Sequence, residues 1–230
     1  MQRPMLAAVL SMCALSAHAE MLEKPVDWTI GKDRFTGVLV YDGTNAIKRP
    51  GQVMVPNWQG INPSAVEKAR RIAADDYVVL IADVYGSKVR PKNDEEAGKV
   101  AEPLRGDRQT LRARIEKSVA VLKDQAGPVP VDATKIGALG FCFRGTTALE
   151  LVRGGSELAG VVSFHGGLAT PLPAQDDAAR TPVLVLNGAD DRGVSDQDIA
   201  DFEKEMDAAG ADWQFVNFSG AVHCFAEADA

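Results

Sequence analysis

Along the chain, short apolar runs alternate with longer amphipathic stretches. Residues 33–41 and 52–57 are rich in β-forming side chains and predict a first hairpin. From Pro63 to Asp75 the small or apolar residues Ala65, Ala69, Ile72 and Ala73 recur at helical spacing, and the run Tyr-Val-Val-Leu-Ile-Ala over 77–82 reads as a buried strand. The stretch 86–107 is polar, carries Pro91, Asn93 and Pro103, and predicts an excursion over the surface. The alternation then resumes with a helix over 107–125, a strand over 135–141, a helix over 143–153 and a strand over 158–164. A strand over 182–187, a helix over 195–209 with Ser195 as its N-cap, and a last strand over 212–218 complete it. Such alternation predicts an α/β domain: a mostly parallel sheet with right-handed crossovers and helices on both faces. Ligands on sheets of this kind sit at the carboxyl ends of the strands.

Residues 1–19 break the pattern. Arg3, an apolar run over 5–15 and the ending Ser16-Ala17-His18-Ala19 have the layout of an export signal, with cleavage expected after Ala19. A single domain over 20–230 would then reside in the periplasm or outside the cell. The apolar run is shorter than the roughly 20 residues that span a bilayer, so no membrane anchor is expected. Lys and Arg number 25 against 32 Asp and Glu, a net charge of -7, which is the wrong sign for binding a phosphate backbone and argues against nucleic acid as partner. Loss of the leader also removes Cys13 and His18, so Cys142, Cys224, His165 and His223 are all that remain for thiol or imidazole chemistry. Two cysteines in an oxidising compartment are read most simply as a structural disulfide; the surroundings of Cys142 point elsewhere.

Gly140-Phe141-Cys142-Phe143-Arg144-Gly145 follows an apolar strand and opens a helix. A tight strand-to-helix turn of this kind presents a nucleophile on a bend that glycines relieve, at the positive end of the next helix. There a thiol is favoured as thiolate, its reactive form. The alternative is a structural cysteine at a strand end. A second strand, Val183-Leu184-Val185-Leu186-Asn187-Gly188, runs into Asp190 and Asp191; a carboxylate there can hold an imidazole in one tautomer, and the other acid caps a turn. A third, ending at Phe218, leads to His223. Nucleophile, acid, base is the chain order of the α/β-hydrolase triad. His165, in Phe164-His165-Gly166-Gly167, precedes the acid and reads as a hydrogen-bonding structural residue.

Jointly, the Gly-x-Cys elbow, the Phe-His-Gly-Gly segment and the Gly-x-x-Asp then His pattern resemble the dienelactone hydrolases, α/β-hydrolases with a cysteine nucleophile, from about Phe35 to Ala226. The resemblance implies Cys142 as nucleophile, Asp191 as orienting acid and His223 as base. It places the oxyanion hole at the backbone N–H groups of Trp58, in Pro56-Asn57-Trp58-Gln59-Gly60, and of Phe143. Three positions depart from the family's pattern. Arg144 stands where the family commonly has glycine, and either crowds the elbow or projects into the cleft to attract an anionic substrate. Asn57 replaces a glutamate that helps control the nucleophile, and Glu227 replaces an arginine that binds a substrate carboxylate. Asn57, Trp58 and Arg144 are accordingly the expected substrate-binding residues. The family also continues past the base with another helix, so a fold without that final helix is expected, with exposed apolar surface and a monomer or homodimer as the state of assembly. The reading is a hydrolase of small esters or lactones acting through a thioester, with a catalytically idle periplasmic binding or scaffold protein as the alternative. No metal or cofactor is expected: no independent zinc-ligand spacing and no nucleotide-binding glycine loop occurs.

Overall fold

The computed structural model describes residues 20–44, 46–74 and 76–227. The expected leader lies outside them. Among the described residues no helix is long and apolar enough to cross a membrane.

Eight strands form one sheet: β1 (Met21–Ile30), β2 (Asp33–Asp42), β3 (Arg49–Val55), β4 (Val78–Ile81), β5 (Val131–Phe141), β6 (Gly160–Phe164), β7 (Val183–Gly188) and β8 (Trp213–Phe218). Their spatial order is β1-β2-β4-β3-β5-β6-β7-β8. β1 and β2 pair antiparallel, as do β2 and β4, and every other neighbour is parallel. The expected hairpin between 33–41 and 52–57 therefore does not form. The hairpin lies one step earlier, turning at Gly31 (φ 58°) and Lys32, where a glycine accepts the left-handed backbone at no steric cost. β4 inserts between β2 and β3 because its Val78–Ile81 run is fully buried and needs neighbours on both edges.

Five helices cover the sheet: α1 (Pro63–Ala74), α2 (Asp94–Gly106), α3 (Arg108–Asp124), α4 (Phe143–Arg153) and α5 (Asp196–Ala208). α1 packs Ala65, Ala69 and Ala73 on one face against Val40, Met54, Val79 and Phe141. The other four contribute to the larger core on the opposite face, where Leu111, Ile115, Leu149, Val152, Phe202 and Met206 meet Val53, Leu80, Ala138 and Val185. Within the excursion expected over 86–107, α2 forms because Asn93 caps it, its side chain accepting from the Glu96 N–H at 2.9 Å, and because Ala97, Ala101 and Leu104 bury one stripe. Asp107 then caps α3 by accepting from the Thr110 N–H.

α4 is buried along its whole length, charges included. Arg153 donates to Glu205 at 2.8 Å and to the Leu168 carbonyl at 2.7 Å, while Glu150 accepts from Arg112 at 2.9 Å. These buried partners fix the helix that carries the elbow, since losing one member leaves an uncompensated charge. At the far edge, β8 leaves Val216 and Phe218 exposed, and no helix follows it among the described residues.

Candidate active site

Four consecutive strands deliver the site at their carboxyl ends: β5 leads to Cys142, β6 to His165, β7 to Asp191 three residues past its end, and β8 to the loop carrying His223. Cys142 has φ 58° and ψ -135°, a strained conformation for a residue with a side chain. The bend closes only because its flanks are small. A Cβ on Gly140 would lie 2.0 Å from the Arg144 carbonyl oxygen, and one on Gly145 would lie 2.6 Å from Ser163 Oγ. The Cys142 N–H is held by the Phe164 carbonyl at 3.1 Å and by His165 Nδ1 at 3.1 Å. His165 is itself buried, its N–H bonded to the Leu186 carbonyl at 2.8 Å. Burial, and then the neighbouring His223, push its pKa down to about 4, so it stays neutral and can accept at Nδ1. Its place is thus behind the nucleophile, as a hydrogen-bonding support.

Cys142 Sγ lies 3.1 Å from His223 Nε2, and His223 Nδ1 lies 2.7 Å from Asp191 Oδ2. Of the two adjacent acids, Asp191 is the buried one that reaches the ring, while Asp190 is exposed. The hydrogen bond to the Cys142 sulfur, followed by that to Asp191, raises the His223 pKa to about 9 against the opposing effect of burial. Phe143 opens α4, so its N–H has no carbonyl within the helix to reach. Both thiols are free: no disulfide joins Cys142 to Cys224.

A cleft of about 450 Å³ opens over this group, walled by Phe143, Thr146, Leu168 and Val194 and flanked by Arg105 and Arg108. The side chains expected from the sequence to bind substrate are not among the walls of this cleft. Arg144 is 1% exposed, and its guanidinium stacks on the Tyr85 ring, 4.1 Å from the centroid. It does not line the cleft. Asn57 holds its own loop, its side chain accepting from the Gln59 N–H at 3.1 Å. Trp58 is anchored by its carbonyl, which accepts from the Tyr85 hydroxyl at 2.7 Å, and its ring rests against α2 at Gly98. Glu227 is turned away from the cleft to Lys68, at 2.6 Å.

The cleft's cations are ones that residue patterning missed. Arg108 is 9% exposed, and its Nε and Nη1 are buried without an acceptor. It lies over the Phe143 ring beside Arg105, with centroid distances of 5.7 and 5.1 Å. Burial pulls its pKa below the ordinary arginine value, offset in part by Glu150. Arg105 falls in the surface excursion expected over 86–107 and Arg108 in the helix expected over 107–125, and nothing in the local sequence distinguishes them from surface arginines.

The parallel sheet, the cysteine elbow at its centre and the histidine and acid on later strand ends define an α/β-hydrolase. The sequence profile of the dienelactone hydrolase family matches residues 36–230, and the chain belongs to that family. A dienelactone hydrolase-like promiscuous phosphotriesterase from metagenomic libraries superposes with a TM-score of 0.82 at 35% identity, covering 90% of this chain and 84% of its own. A probable 2-oxo-3-(5-oxofuran-2-ylidene)propanoate lactonase of Bradyrhizobium sp is 27% identical, over 77% of this chain and 74% of the relative. A putative carboxymethylenebutenolidase of Aquifex aeolicus is 24% identical, over 82% of this chain and 87% of the relative. The protein is a hydrolase of the dienelactone hydrolase type.

Proposed function

We propose that the protein cleaves small carboxylic esters or lactones by acyl transfer through a thioester on Cys142. The observation that carries this reading is the unbroken line from Cys142 Sγ to His223 Nε2 at 3.1 Å and from His223 Nδ1 to Asp191 at 2.7 Å, at the floor of an open cleft. His223, its pKa raised to about 9, takes the Cys142 proton and holds it, leaving sulfur as the nucleophile. The thiolate attacks the ester carbonyl carbon, a C–S bond forms, and the carbonyl electron pair moves onto oxygen. The Phe143 N–H, together with that of Trp58 by family resemblance, receives the oxyanion. Collapse expels the alkoxide, which takes the His223 proton. Neutral His223 then deprotonates water, which hydrolyses the thioester and restores the ion pair. Asp191 keeps Nε2 facing sulfur throughout.

The substrate class follows from the cleft's flank. Arg105 and Arg108 both line the cleft, so an ester bearing a carboxylate or another anion meets two cations there. The names of the two curated relatives, a lactonase and a butenolidase, support the ester or lactone reading. Cleavage after Ala19 would place this activity in the periplasm or outside the cell.

The test is hydrolysis of a panel of short-chain nitrophenyl esters and small lactones by the wild type and by Cys142→Ala. Turnover that disappears in the variant supports the proposal. A folded wild type that turns over nothing in the panel would overturn it in favour of an idle binding protein.

A further inference from the structure

Cys224 has no part in that mechanism, yet it stands beside the reacting atoms. It directly follows the base, and its backbone takes a left-handed turn (φ 66°). The consequence is that Cys142 Sγ, His223 Nε2 and Cys224 Sγ come together, all within 4.8 Å of one another. Around a tetrahedral Zn²⁺ with Zn–S of about 2.3 Å and Zn–N of about 2.0 Å, ligand atoms lie roughly 3.5–3.8 Å apart. The three side chains therefore reach this geometry with small rotamer adjustments.

We infer that the protein carries a Cys₂His site for a thiophilic divalent cation, Zn²⁺ in the first place, built from Cys142, His223 and Cys224. Two sulfurs and an imidazole are the donor set such an ion selects over Mg²⁺ or Ca²⁺. The outer shell is already in place. Asp191, buried and 2.7 Å from His223 Nδ1, fixes the tautomer that turns the Nε2 lone pair toward the ion, the carboxylate–histidine–metal arrangement that raises ligand basicity. Coordination releases two protons, one from the Cys224 thiol and one shared by Cys142 and His223, and forms two S–Zn bonds and one N–Zn bond. Because the ion ties up both the sulfur and the imidazole, occupancy and hydrolysis exclude each other, so zinc acts as a reversible off-state of the same site.

The experiment is calorimetric titration of the purified protein with Zn²⁺ alone, repeated with Cys224→Ser, Cys224→Ala and Asp191→Asn, and parallel titration with Cd²⁺ to read thiolate-to-metal absorption in the ultraviolet. One ion per chain is expected in the wild type. Asp191→Asn should weaken binding roughly 10- to 100-fold, and either Cys224 variant by at least as much. The Cd²⁺ absorption should fall by about half in the Cys224 variants, as one thiolate is lost from the pair. Binding that is absent, or unchanged in both Cys224 variants, would overturn the inference. These readouts need no turnover. A protein that binds zinc in this way but hydrolyses no ester would retain the metal site while losing the proposed hydrolase reading.

Discussion

Arg108→Gln separates a cleft that recognises charge from one that merely contains it. In the free protein the Arg108 Nε and Nη1 are buried without an acceptor, and the guanidinium lies over Phe143, whose N–H the proposed mechanism assigns to the oxyanion. A hydrogen bond to a charged group is worth about 1.5–3 kcal/mol. Arg105 remains in the variant and the cleft mouth is open, so the lower part of that range applies: about 1.5–2 kcal/mol, roughly a 10- to 30-fold loss in kcat/KM. The assay compares two nitrophenyl esters of matched acyl length, one ending in a carboxylate and one in a methyl group. The anionic ester should lose activity by that factor, and the neutral ester should change less than about threefold. High salt should narrow the wild type's preference, since the mouth is accessible to counterions. Arg144→Met should instead affect both esters alike, because its guanidinium stacks on Tyr85 away from the cleft. Equal losses on both esters in Arg108→Gln, or none on either, would refute the assignment.

Asp191→Asn should leave the fold intact while lowering kcat/KM by roughly 10²- to 10⁴-fold, because the amide can no longer fix the His223 tautomer. Gly145→Ala should cost about 1–3 kcal/mol of stability, read as a lower thermal midpoint, since its Cβ would meet Ser163 Oγ at 2.6 Å and Gly166 Cα at 3.0 Å. The pH dependence has a definite sign. The His223 pKa is raised from 6.5 to about 9, so its charged form favours the folded site fully below pH 6.5, and that contribution disappears as pH rises through about 9. Acylation should hold until pH approaches 9 and fall as His223 of the folded site loses the proton the leaving alkoxide needs, which a pH profile of kcat/KM between 6 and about 10.5 will register.

Elements whose apolar residues are large and periodic were legible in the sequence. The runs behind β4 and β7, and the helices α1, α3, α4 and α5, all lie within a few residues of their expected limits. β1 went unread because it is an edge strand with Trp28 as its single buried residue and with Pro25 in its middle, so no clean alternation marks it. Missing it displaced the hairpin. α2 reads as an excursion in the sequence because its buried stripe is two alanines and a leucine, too small a signal against six charges and a proline. Cys142, the acid pair after β7 and His223 stand out in the sequence because strand ends are marked by glycines and polar residues. The adjacency of Cys224 to His223 already brings it toward Cys142 wherever the base meets the nucleophile; the direction of Arg144 and the cations on the cleft flank were not legible. They depend on how helices and loops far apart in the chain come together, and a one-residue motif carries no trace of that.

The central claim is a covalent acyl group on one sulfur. The protein should be mixed with a slowly hydrolysed nitrophenyl ester, quenched in acid and digested, and the peptide carrying Cys142 weighed. A mass increase equal to the acyl group is expected on that peptide, removable by hydroxylamine, with neither adduct nor turnover in Cys142→Ala. Turnover that survives in Cys142→Ala, or an acyl group found on a residue other than Cys142, would contradict it.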